Sequence, residues 1–310
     1  MKASVSLLLL TDILLVACAN QSIPATTPIA TLAATSTLAQ PTVIQPTATT
    51  RPTATPLQVH QWDAKPVVAE IFDIAGYTQP NYAWSLMPTV VVYADGRVLT
   101  IYDTGYNRQI PSIKQTYIST DELCSMLTRI ESSGFFDFEQ KDYPAPLQIF
   151  DAGATDIVVD AWRSNWIGAY ALEELKPSDI PIALSKTFTE LSSLSGLSNA
   201  TPYQPDRIAL LISRWRDKSQ LQTWPSTLPS LSTLAPNLKS TDTKIVILAG
   251  KDAADAYLLF KGQNAQIFSE HGLLYQVTAR PLLPLEIPDS IEAWQPSKFE
   301  DSPTTSLTCR

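Results

Sequence analysis

The chain has 310 residues, a formal net charge of −8 and no basic cluster. That balance excludes nucleic-acid binding through phosphate neutralisation and argues against adsorption of the folded part on anionic lipid. Two histidines and three cysteines are also too few to build a zinc or copper centre, so no metal or cofactor is expected.

In chain order, Met1 and Lys2 give a minimal positive start, and Val5 to Val16 form an apolar run interrupted by Asp12. A run of roughly a dozen residues is shorter than the about 20 that cross a bilayer. It has the length of a removable export signal. The ending Leu15-Val16-Ala17-Cys18 resembles the lipobox of bacterial lipoproteins. That resemblance implies cleavage after Ala17 and acyl chains on Cys18, which would hold the chain outside the cytoplasm on a bacterial membrane. Its rival is an ordinary signal peptide, residues 1–17, followed by a chance cysteine. Residue 19 is Ala rather than Asp, so the inner-membrane retention pattern is missing. From Ala19 to Leu57 the chain is dominated by Thr, Ala, Ser and Pro, with Arg51 as its only charge and no aromatic residue. Residues 18–57 therefore read as a disordered, partly polyproline linker, able to reach on the order of 100 Å when extended.

The remaining residues are enough for a sizeable core. Thr89 to Tyr102 carries Asp95-Gly96 between β-branched runs, predicting a two-residue hairpin turn with both central residues at positive φ. Ser119 and Glu122 form a capping box ahead of Leu123, Met126, Leu127 and Ile130 at helical spacing, and Gly134 closes that helix. A second hairpin is predicted from Asp156 to Leu172 with its turn at Arg163-Ser164-Asn165, and a second helix from Pro181 to Ser195. Hairpin, helix, hairpin, helix predicts an α+β fold: an antiparallel sheet with capped helices packed on one face. A smaller α+β unit follows, with strands at Arg207–Ser213, Lys244–Ala249 and Leu273–Arg280 and a helix at Asp252–Lys261. The expected division is residues 58–202 and 203–310, although a single continuous sheet satisfies the pattern nearly as well.

Tyr93-Ala94-Asp95-Gly96-Arg97-Val98, Gly134-Phe135-Phe136 and Ala154-Thr155-Asp156 resemble an uncharacterised exported domain of bacterial lipoproteins and envelope proteins. So do Pro202-Tyr203-Gln204-Pro205, Gly250-Lys251-Asp252-Ala253 and the run from Tyr275 to Pro284. The resemblance implies an exported α+β domain and no particular activity.

Candidate functional residues are few. Cys124 and Cys309 can pair in an oxidising compartment, or Cys124 can serve as a buried thiol, one position off its helix's apolar stripe. Trp84, Trp162 and Trp166 are candidates for a binding surface as well as for the core. Trp162 and Trp166, four apart across a short turn, are expected on one side of the hairpin. Asp151, Asp156 and Asp160 form an acidic stretch that offers oxygens to calcium, supplies a carboxylate pair for glycoside hydrolysis, or simply caps turns. His60 ends the linker, and His271 lies in a Glu270-His271-Gly272 turn with no nucleophile motif near it, so no catalytic residue is assigned. The sequence reads as a membrane-anchored extracytoplasmic lipoprotein whose folded part binds an envelope protein or glycan, or acts as a spacer. The alternative is a hydrolase acting on cell-envelope material.

Overall fold

The computed structural model describes residues 58–74, 76, 86–102, 110–144, 152–217, 221–263, 265–287, 298–299 and 305–310. All fall in one compact unit, Thr55–Arg310. Its first half contains β1 (His60–Ala64), β2 (Val67–Ile74), β3 (Val90–Tyr93), β4 (Arg97–Tyr102), β5 (Ser112–Tyr117) and helix α1 (Thr120–Ser132). There follow β6 (Asp142–Tyr143), β7 (Ala154–Asp160), β8 (Ser164–Tyr170), helix α2 (Ile182–Ser192) and β9 (Thr201–Pro202). The second half runs β10 (Arg207–Arg214), β11 (Leu221–Thr223), α3 (Leu231–Leu234), β12 (Thr243–Ala249), α4 (Gly250–Phe260), β13 (Ala265–Glu270), β14 (Leu273–Pro281) and β15 (Thr305–Cys309).

These strands make an α+β fold. An eight-stranded sheet, in the order β6-β8-β7-β2-β3-β4-β5-β9, is antiparallel except where β6 joins β8. A five-stranded sheet has the order β11-β13-β14-β10-β12, and β1 pairs with β15 alone. The sheets change over between β9 and β10, while β15 returns across that point to meet the first strand.

Local chemistry accounts for the elements. The Ser119 side chain accepts from the Glu122 N–H and the Glu122 carboxylate from the Ser119 N–H, so the capping box forms as written in the sequence. Gly134 at φ 88° ends the segment in the left-handed region. The β3–β4 turn differs from expectation. Asp95 stays at negative φ and only Gly96, at φ 82°, is left-handed, so three residues, Ala94 to Gly96, connect Tyr93 to Arg97. The Gly96 N–H donates to the Tyr93 carbonyl at 3.0 Å, which is a tight turn followed by a glycine bulge. A Cβ on Gly96 would collide with the Ile118 carbonyl oxygen, so this position requires glycine for space as well as for φ.

The two faces of the eight-stranded sheet are covered differently. On one, Ala69, Ile71, Val92, Ile157, Val159 and Ile167 pack against Leu123, Leu127 and Ile130 of α1 and Leu184 and Leu191 of α2, closed by Phe135 and Leu307. Each of these side chains larger than Ala69 contributes about 1.5–3 kcal/mol on burial. On the other face Val91, Tyr93, Leu99, Ile101 and Ile113 are covered by Met87, Leu283 and Phe299. The five-stranded sheet has its own core, in which Phe260 of α4, Trp224 and Leu231 sit over Leu210, Phe268 and Val277.

Cys124 of α1 and Cys309 of β15 are joined by a disulfide with a Cα–Cα distance of 5.2 Å, across 185 residues of sequence. A second long-range tie is electrostatic. Arg280, 3% exposed, places Nη2 at 2.6 Å from Glu286 Oε1 and donates from Nε to the Leu86 carbonyl at 3.0 Å. Replacing one member of a buried pair strands the other charge in the interior. Arg280→Met is therefore expected to lower unfolding stability by about 3–5 kcal/mol, with partial recovery in Arg280→Met/Glu286→Gln. Urea unfolding midpoints of the two variants measure both effects.

Candidate functional site

The hairpin β7–β8 shows how the chain builds its most unusual surface. Along β8 the residues Asn165, Ile167 and Ala169 are buried, and Trp166, Gly168 and Tyr170 alternate with them on the opposite face. Trp166 is 38% exposed and Tyr170 36% exposed. Between them Gly168 leaves a gap. A Cβ there would sit 2.7 Å from Asp156 Oδ1, 3.5 Å from the Trp166 ring and 3.7 Å from Asp142 Oδ1. Two carboxylates thus converge on a glycine floor, with an indole on one side and a phenol beyond.

Each group is held by its neighbours. Asp142 is carried by β6, whose parallel register places it opposite Gly168, and the Gly168 N–H donates to the Lys141 carbonyl at 2.7 Å. The Lys141 ammonium donates to the Asn165 side-chain oxygen. The Asn165 amide donates in turn to the carbonyls of Phe135 and Phe138, at 2.6 and 3.1 Å. The segment after α1 is thereby stitched to β8. Tyr170 Oη accepts from the Ala152 N–H at 3.1 Å.

The electrostatics are unfavourable by arrangement. Asp156 is 7% exposed, and its carboxyl is pushed up to about 6 by burial and then by the nearby Asp142 charge, while a hydrogen bond from Trp166 opposes the shift. Asp73 lies next to it on β2. Burial raises its carboxyl too, against hydrogen bonds from Thr155 and Thr89, each 2.8 Å long. Glu70 of β2 opposes Val158, and Phe72 opposes Asp156, so Glu70 and Asp156 share a sheet face. The Glu70 carboxyl is buried with Oε2 unpartnered and is raised well above the ordinary range by burial, then by Glu286 and Asp156. An acidic line therefore runs from the sheet interior at Glu70 to the exposed rim at Asp142.

The residues singled out from sequence fare unevenly. Cys18, Trp84 and Asp151 lie outside the described residues. Cys124 and Cys309 are paired. Trp162 and Trp166 do not share a side. The turn falls at Ala161–Arg163, because Asp160 pairs with Ser164, and this leaves Trp162 at the tip. Trp162 stacks on the His60 ring at 3.9 Å, meets Trp62 edge-on at 5.1 Å and donates from Nε1 to Glu131 at 3.0 Å. Glu131 also lies 3.1 Å from His60 Nε2, so this cluster pins β1 against α1. The calcium set fails on distance. Asp156 and Asp160 are four residues apart on one extended strand, about 13 Å, too far for one ion. Asp160 instead lies 3.2 Å from the Lys65 ammonium. Among the described residues no three His, Cys, Asp or Glu side chains are grouped to hold a metal. The Glu270 carboxylate accepts from the Leu231 and Ser232 N–H groups at 3.1 and 2.9 Å, capping α3, and His271 beside it is exposed. Asp142, Gly168, Tyr170 and Glu70 went unread. The alternation Trp166-x-Gly168-x-Tyr170 is a usable signal, whereas nothing local marks Asp142. No family model, curated protein or solved structure matches the chain.

Because the folded carboxyl of Asp156 titrates above its unfolded value, the folded chain holds an extra proton between about pH 4 and 6, and stability falls as pH rises through that window. Asp156→Asn is expected to gain about 1 kcal/mol at pH 8, after allowance for solvent screening, and nothing at pH 3. Urea unfolding at the two pH values tests this. Asp142→Asn should bring the Asp156 midpoint down, read by carboxyl carbon NMR; an unmoved midpoint would remove Asp142 from the site.

Proposed function

We propose that this chain is an extracytoplasmic lipoprotein, held on a bacterial membrane by a lipid on Cys18, and that its folded part is a non-enzymatic binding module. The observation that carries the address is the Cys124–Cys309 disulfide. Such bonds persist in oxidising compartments. This one also takes two of the three cysteines, so the thiol of the lipobox-like segment is the one left for acylation. Cys18→Ser is expected to move the protein from the membrane pellet to the soluble fraction after carbonate extraction. Retention in the pellet would defeat the lipid-anchor reading.

The binding reading rests on the face built by Asp142, Asp156, Trp166 and Tyr170. Two carboxylates held near each other repel, and a cation placed between them relieves that repulsion. An indole face adds attraction for the same cation. The ligand class that fits is an amine-bearing envelope component, such as a lysine-containing peptide or an amino sugar. With a lysyl tripeptide as probe, Trp166→Ala and Asp142→Asn should each weaken binding at least tenfold in titration calorimetry, and acetylating the probe amine should abolish it. Equal binding of the acetylated probe would refute the cation reading.

A hydrolase acting on envelope material is the second reading, favoured by one observation. Asp156, raised to about 6 beside a second carboxylate, has the poise of a general acid. Turnover of wall glycan that is lost in Asp156→Asn would select it over binding alone.

A further inference from the structure

Sheet edges present unpaired backbone groups, and folded proteins commonly blunt them with short strands, proline, bulges or charge. Three of the four edges of the two large sheets are blunted in this way. β6 has two residues, β9 has two and ends on Pro202, and β11 has three, all exposed. The fourth edge is different. β12 is seven residues long, Thr243-Lys244-Ile245-Val246-Ile247-Leu248-Ala249, and it pairs with β10 without a bulge from Arg207↔Ala249 to Ser213↔Thr243. It contains no proline and carries one charge, Lys244, near one end. No strand among the described residues lies on its outer side. Ile245, Val246 and Ile247 at its centre are half-buried, with Ile245 and Ile247 on the face opposite α4 and Val246 on the α4 side.

We infer that β12 is an interaction edge whose partner is the β12 of a second copy of this chain, paired antiparallel about Val246. The pattern of the strand selects this occupant. Val246 is its central residue, so a twofold axis there is the register that pairs all seven residues of each copy. In that register Ile245 opposes Ile247 of the other copy on one face, and Val246 opposes itself on the other. Residues directly opposite share a face, so the half-exposed isoleucines of the two copies close over one another as a four-residue cluster. Charge agrees at both ends. Asp242 comes opposite Gly250 of the other copy, beside Lys251, whose exposed ammonium also holds Asp255 of its own helix at 2.6 Å, and symmetry repeats the contact. Joined in this way, two five-stranded sheets become one of ten strands.

Position-specific cross-linking in isolated membranes tests the register with the full chain. Val246→Cys places its thiol about 5 Å from its own copy, whereas Thr243→Cys lies about 20 Å from its own. V246C is expected to give a covalent dimer under mild oxidation at least tenfold faster than T243C. Ile247→Lys in the V246C background should abolish that product, with unchanged circular dichroism showing that the fold is retained. Asp242→Lys should slow cross-linking, and Asp242→Lys/Lys251→Asp should restore it, a rescue that a merely structural role for these residues would not give. Equal rates for V246C and T243C would overturn the pairing. So would a V246C product whose mass shows a different protein on the edge.

Discussion

A guanidinium that water does not reach sets the terms for the middle of this molecule. Arg280 at the end of β14 can stay buried there only while Glu286 and the Leu86 carbonyl stay beside it. That requirement fixes the chain after β14. The Glu286 carboxylate accepts from the Leu283 N–H, Arg207 donates to the carbonyls of Leu283 and Glu286, and Tyr93 Oη donates to the Pro284 carbonyl. The segment so held covers Val91, Tyr93 and Leu99 on one face of the eight-stranded sheet. Without the ion pair that face would lose its cover.

The same charge shapes the acidic line that ends at the proposed binding face. The Glu70 carboxyl is raised well above the ordinary carboxylate range by burial, then by Glu286 and Asp156, so placing a charge on it in the interior is costly. Its neighbour Glu286 is the carboxylate that answers Arg280. Further out, Asp156 is only partly relieved by solvent and by Trp166, and Asp142 at the rim is exposed. Exposure rises from the inside outwards along this line, and its solvent end at Asp142 lies next to the two exposed aromatic rings.

How much of this the sequence disclosed depended on how local the cause was. The capping box at Ser119 and Glu122, the glycine at 134 and the α+β pattern of hairpins and helices are short-range, and they read correctly. The turn between β7 and β8 read two residues late, enough to misplace Trp162, because a turn of small polar residues is a weaker signal than the backbone pairing that overrides it. β2 passed unnoticed. It lies at the centre of the large sheet, covered on both sides, so it shows a nearly continuous apolar run with Glu70 in the middle rather than an alternation. β15 means nothing until it meets β1, two hundred and more residues earlier. The site behaved likewise: the alternation of Trp166, Gly168 and Tyr170 is written in the strand, whereas Asp142 arrives on a two-residue parallel strand with no period to detect.

The meeting of β1 and β15 also bears on how the folded unit responds to being pulled. The chain enters β1 at His60, directly opposite Cys309, and Cys309 is bonded to Cys124 in α1. Tension drawn along the polypeptide toward residue 58 is shared by five β1–β15 pairs, and from there it passes through a covalent bond into a helix. The stacked His60 and Trp162 rings brace the point of entry. A domain tethered from that side takes load first on the β1–β15 pair and the disulfide behind it, ahead of β2 in the eight-stranded sheet, which follows β1 after two intervening residues.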